Sequence, residues 1–139
     1  MGIDLSKIKL PDDKLNELKV GLIYLFGSYA EGFAGPKSDI DIGIVFTDPA
    51  IAKGDTLKIY NKLYDLFSDI FDLSGFKNMD IVFLERVGLE LRFDAISHGV
   101  VLFETSSDFR MQFEEHIAAF YRDFKPLLRE FNNAVLARI

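Results

Sequence analysis

The chain has 139 residues, no cysteine and a formal net charge of −6. That length suffices for one domain with its own core, and the lack of cysteine excludes disulfides and thiolate metal sites. The acidic balance argues against a surface that grips long nucleic acid by its phosphates, which needs a basic stripe. A nucleotide stays open, because a divalent cation can carry phosphate charge locally. No apolar stretch approaches the ~20 residues of a membrane span, and the N-terminus lacks a signal-peptide layout. A cytoplasmic protein with no membrane association is expected.

In chain order, Leu10-Pro11-Asp12-Asp13 has the form of a helix start with Asp12 as its cap, and Leu15 and Leu18 share a face behind it. Val20 to Phe26 is a continuous apolar run ended by Gly27, which reads as a buried strand. Gly32, Gly35 and Pro36 break the next stretch into loop, with a single helical turn at Tyr29 to Gly32. Ile40 to Phe46 is the second strand. Asp48-Pro49 marks a turn or a helix start. From Asp55 onward Leu57, Tyr60, Leu63, Tyr64, Phe67, Ile70 and Phe71 recur at helical spacing, so a helix crosses back over the sheet. Gly75 to Asn78 is a loop, and Met79 to Leu84 a third strand with Asp80 near its start. Leu89 to Ser97 reads as a helix stopped by His98-Gly99, followed by a short fourth strand at Val100 to Phe103.

The last segment, residues 107–139, is a long helix beginning near Ser107. Phe109, Phe113, Ile117, Phe120, Phe124, Leu127, Leu128, Phe131 and Val135 fall on one stripe, and Pro126 is predicted to kink it. Phe113, Phe120, Phe124 and Phe131 read most simply as core. A helix reaching Ile139 would nevertheless span roughly 45 Å, more than the width of a small domain. Part of the stripe is therefore expected to pack on another chain, a homo-oligomer or a partner. The element order gives a small α/β sandwich with helices against one sheet.

The chemistry concentrates between Phe26 and Asp41. Residues two apart on a strand point to the same side, so Asp39 and Asp41 project together while Ile40, Ile42 and Ile44 face the opposite way. Two adjacent carboxylates repel, and a hard divalent cation such as magnesium removes that conflict. Asp80 opens another strand and could add a third carboxylate; alone it reads equally well as a turn residue. Three convergent carboxylates suit a two-metal site for phosphoryl transfer. Gly27-Ser28 follows the first strand at a sharp turn, where bare backbone admits phosphate oxygens and the serine hydroxyl donates. His98 and His116 lack a second histidine at ligand spacing and read as helix-end and helix-flank residues, while Tyr24, Tyr60 and Tyr121 read as packing residues.

Phe26-Gly27-Ser28, the ten residues Tyr29 to Ser38, then Asp39-Ile40-Asp41-Ile42 and later Met79-Asp80-Ile81-Val82 resemble the nucleotidyltransferase superfamily of DNA polymerase β and kanamycin nucleotidyltransferase. The small size, "ISHGVVLFE" and "FYRDFKPLLREF" look like the minimal nucleotidyltransferases, antitoxin partners of HEPN-domain toxins. The resemblance covers most of the chain from Val20 onward. It implies an α/β (α+β) fold, with a small mixed sheet and helices packed against it. Residues 1–139 would form one nucleotidyltransferase domain of the polymerase β palm type, ending in the long helix.

The resemblance also implies roles. Asp39 and Asp41 would hold two magnesium ions, Asp80 would complete the site of the attacking hydroxyl and help deprotonate it, and Gly27 and Ser28 would grip the β- and γ-phosphates of ATP. AMP would pass to a hydroxyl acceptor, in this subgroup a tyrosine of a cognate HEPN toxin, with release of pyrophosphate. At Glu31, where many relatives carry a basic residue, the chain departs from the pattern, and Lys37 is the nearest cationic substitute. Two other readings stand beside this one: an antitoxin that neutralises by stoichiometric binding with an idle site, and transfer to a small molecule such as an aminoglycoside. The chain offers no obvious lobe to bind the latter.

Overall fold

The computed structural model describes residues 9–27, 40–71 and 79–137. Its elements are α1 (Asp12–Glu17), β1 (Val20–Phe26), β2 (Ile40–Phe46), a 3-10 turn (Pro49–Lys53), α2 (Leu57–Ile70), β3 (Met79–Phe83), a second 3-10 turn (Leu84–Arg86), α3 (Leu89–His98), β4 (Val100–Glu104) and α4 (Ser107–Ala137). The strands form one mixed sheet in the order β3-β2-β1-β4. β1 runs antiparallel to both β2 and β4, and β2 runs parallel to β3. A parallel neighbour demands a crossover, and α2 supplies it.

Helices cover both faces of this sheet. On one, Ile23 and Leu25 of β1, Ile40, Ile42 and Ile44 of β2, and Ile81 of β3 pack with Leu63 and Phe67 of α2. On the other, Leu22, Tyr24 and Phe26 meet Val45, Leu84 and Ala95, with Phe109 and Phe113 of α4 against them. Both central strands are thus sandwiched, which is why β1 reads as an unbroken apolar run rather than an alternation. Gly21 lets α4 approach: a Cβ there would stand 2.5 Å from Cε1 of Phe109. Arg110 Nε adds an ion pair to Glu104 Oε2 at 2.6 Å, tying the first turn of α4 to the end of β4.

Several details differ from the sequence reading. Pro11, not Asp12, precedes α1, and Asp12 and Asp13 sit inside its first turn, where carboxylates complement the unsatisfied N–H groups. α2 begins at Leu57, whose N–H donates to Asp55 Oδ1 at 3.1 Å. Leu57 itself, the first residue of the helix, is 65% exposed and outside the core. Leu84 leaves β3 for the 3-10 turn while staying fully buried. The long helix expected from Ser107 is present as α4 and contains Pro126, and the largest difference lies in what its stripe covers. Its stripe is core only as far as Ile117, and Phe120, Phe124 and Phe131 are exposed. The stripe leaves the sheet before it ends, so the same periodicity serves core and surface in turn. Among the described residues no helix is long and apolar enough to cross a membrane.

Candidate active site

The expected site falls at the end of the sheet where β1 finishes and β2 and β3 begin. Phe26 pairs with Asp41 across β1 and β2, and Asp41 pairs with Asp80 across β2 and β3. The two aspartates are thus direct neighbours on adjacent strands, whose spacing is about 4.8 Å. Both point to the face opposite Ile40, Ile42 and Ile44, as the alternation requires. Asp41 is half-buried and Asp80 is exposed, so the pair forms a carboxylate rim with one sheltered and one solvent-facing member.

Gly27 ends β1 with a φ of 77°, in the left-handed region that side chains avoid. A Cβ at this position would collide with Asp41 Oδ2. The turn and the carboxylate are therefore in van der Waals contact, and only glycine permits it. The space that a side chain would fill at Gly27 is taken by the Asp41 carboxylate, which lies along the flank of the turn.

Ser28 and Asp39 lie outside the described residues, as do Glu31, Gly32, Gly35 and Lys37. Among the described residues no group of three or more acidic, histidine or cysteine side chains could hold a metal. Of the three expected carboxylates, Asp41 and Asp80 are brought together, and Asp39 stands in sequence immediately before Ile40. The donor chemistry fits magnesium: oxygen-only ligands, negatively charged, on neighbouring strands at one level, with a bare-backbone turn beside them.

The histidines are placed as read. His98 is the last residue of α3, and its Nδ1 lies 3.0 Å from Asp94 Oδ1, a pair that the i, i+4 spacing could have signalled. His116 is exposed on α4 and meets the Phe120 ring edge-on. Tyr24 packs beneath α4, and its buried hydroxyl, raised by desolvation, has no hydrogen-bond partner among the described residues. Tyr60 packs against the α2-side core, and Tyr121 stacks on Phe93 at 3.9 Å. The sequence reading missed Glu85. Burial raises its pKa above the usual carboxylate value, and the Phe46 N–H, donating to Oε2 at 2.7 Å, partly offsets this. No local motif announces it; the bond joins residues 39 apart.

A sheet end carrying this glycine turn and carboxylate pair defines a class. The family model described as polymerase beta, nucleotidyltransferase, matches residues 12–108, and the chain belongs to that family. Similar solved structures narrow the resemblance. A toxin–antitoxin crystal structure with AMP-PNP is 26% identical with a TM-score of 0.64, covering 91% of this chain and 99% of the other. The toxin–antitoxin MntA–HepT is 22% identical with a TM-score of 0.59, covering 90% and 96%. A tri-AMPylated Shewanella oneidensis HEPN toxin in complex with MNT antitoxin gives 24% identity and a TM-score of 0.59, covering 90% and 95%. No curated protein matches the chain.

Proposed function

We propose that the chain is a magnesium-dependent nucleotidyltransferase of the cytoplasm that moves AMP from ATP onto a tyrosine hydroxyl of a cognate HEPN toxin, releases pyrophosphate, and so acts as an antitoxin. The observation that carries the reading is the pairing of Asp41 with Asp80 beside the left-handed Gly27 turn. Gly27 and Ser28 hold the β- and γ-phosphates through backbone N–H groups and the serine hydroxyl. Asp39, Asp41 and Asp80 would be the ligands of two magnesium ions. Asp80, on the solvent-facing side, also takes the proton of the incoming hydroxyl. The bound ions would supply charge neutralisation on the triphosphate and a lowered pKa for the attacking hydroxyl.

The toxin–antitoxin relative crystallised with AMP-PNP supports an ATP-like nucleotide. The AMPylated HEPN toxin held by an MNT antitoxin supports AMP as the transferred group and such a toxin as acceptor. The test is transfer of label from α-labelled ATP with magnesium to a co-expressed HEPN toxin, beside Asp39→Asn and Asp41→Asn. Label on a toxin tyrosine that disappears in both variants is the expected result. Toxin neutralisation that survives both substitutions without any labelling would show an antitoxin acting by binding alone. Label on an added aminoglycoside and none on the toxin would show a small-molecule enzyme.

A further inference from the structure

The outer half of α4 has no counterpart in the site chemistry. Residues 122–127 and 129–137 are exposed on every side of the helix, whereas Ile117, one turn before, is 3% exposed. This arm still carries an apolar strip. Phe120, Phe124, Leu127, Phe131 and Val135 follow one another at intervals of four, three, four and four residues and so share one face. A helix of this length with a proline inside it is marginal in water unless its apolar face is covered.

At the root of the arm the strip runs into a groove of about 400 Å³ between α3 and α4, lined by Leu89, Arg92, His116, Ile117, Phe120 and Phe124. Apolar tip and apolar groove therefore occur on one molecule, about four helical turns apart along α4. They are too far apart on a single helix to meet. A two-fold axis near Leu127 with antiparallel arms would lay each tip, Phe131 and Val135, into the other chain's groove. A parallel pairing would leave both grooves empty.

We propose that this strip and groove form a self-complementary dimer interface between two copies of the chain, independent of the nucleotide chemistry. Area supports it. Phe120, Phe124 and Phe131 are 42, 43 and 65% exposed, Leu127 59% and Val135 44%. With roughly 150–250 Å² of surface on each aromatic side chain, the strip presents on the order of 500 Å² per chain. A pair then buries about 1,000 Å² from the strips alone, the threshold of a specific interface with good complementarity. Asp123 and Glu130 flank the strip, and antiparallel arms bring these like charges near each other. Association should therefore tighten as salt screens them, whereas docking of a basic-flanked partner helix would weaken.

The test is sedimentation of the full chain across protein and salt concentration, with Phe131→Glu, Leu127→Glu and the conservative Phe131→Leu. A dimer that strengthens with salt is expected, persisting in Phe131→Leu and lost in both glutamate variants while each variant keeps a single cooperative melting transition of the domain. Because the chain has no cysteine, Phe120→Cys and Val135→Cys variants can report the direction. Oxidation of their mixture should give crosslinks between the two variants and few within either. A monomer at all concentrations, association indifferent to both glutamates, or crosslinks only between identical variants would each overturn the proposal. So would a monomeric chain whose capture of a HEPN toxin is abolished by Phe131→Glu, since the strip would then belong to the toxin.

Discussion

At the scale of single residues, Gly27 and Asp41 form one unit. The left-handed turn costs a side-chain-bearing residue about 1–2 kcal/mol, and any Cβ would also strike the Asp41 carboxylate. Gly27→Ala should lower stability by about 1–2 kcal/mol and, by displacing Asp41, reduce nucleotidyl transfer at least about 10-fold, checked by melting and by label transfer on the same sample. Glu85 sets a pH dependence. Its folded pKa is raised by burial, so the stability it contributes is complete below its unfolded value and is lost as pH rises through the folded one. Glu85→Gln keeps an acceptor for the Phe46 N–H and removes that loss. Melting curves against pH should show the variant equal to the parent in acid and more stable at neutral pH. Glu85 was not legible in the sequence, because nothing local marks a carboxylate that satisfies a strand N–H 39 residues away. The Gly27 turn and Asp41 were legible, since the constraint on each is written into a few adjacent positions.

At the scale of elements, the periodicities located strands and helices well because burial enforces them. β1 and β2 carry helices on both faces, so their apolar runs could hardly be anything but buried strands. What periodicity states is which residues share a face, not what covers it. Phe113 and Phe131 therefore look alike in sequence, yet one packs near Tyr24 and the other is 65% exposed. Asp80 was expected beside Asp41 as a further carboxylate, but the register that makes them direct neighbours was out of reach, because the apolar pattern of each strand does not state how far one slides along the other. The contact of α4 with β1 can be probed in the same terms. Gly21→Ala should destabilise by about 1–3 kcal/mol through overpacking against Phe109. Adding Phe109→Leu should recover part of that loss, a coupling that a double-mutant cycle measures.

At the scale of the whole molecule, a net charge of −6 and an acidic rim mean that the proposed triphosphate would need cations to be held. ATP with magnesium, at about 100 times its dissociation constant, should stabilise the fold by about 2.7 kcal/mol, a melting shift on the order of 8 °C at this size. ATP with a chelator, or Asp41→Asn with both ligands, should show little of that shift. Binding alone does not make an enzyme, however, and the pairing of Asp41 with Asp80 matters because the proposed transfer rests on it. The most direct measurement is the rate of AMP transfer from α-labelled ATP to a co-expressed HEPN toxin by the parent chain, Asp41→Asn and Asp80→Asn. Loss of about 100-fold or more in each variant, with toxin still bound, is predicted from removing one charged group of a transition-state clamp. Unchanged transfer in either variant, or no transfer by the parent chain, would contradict the account.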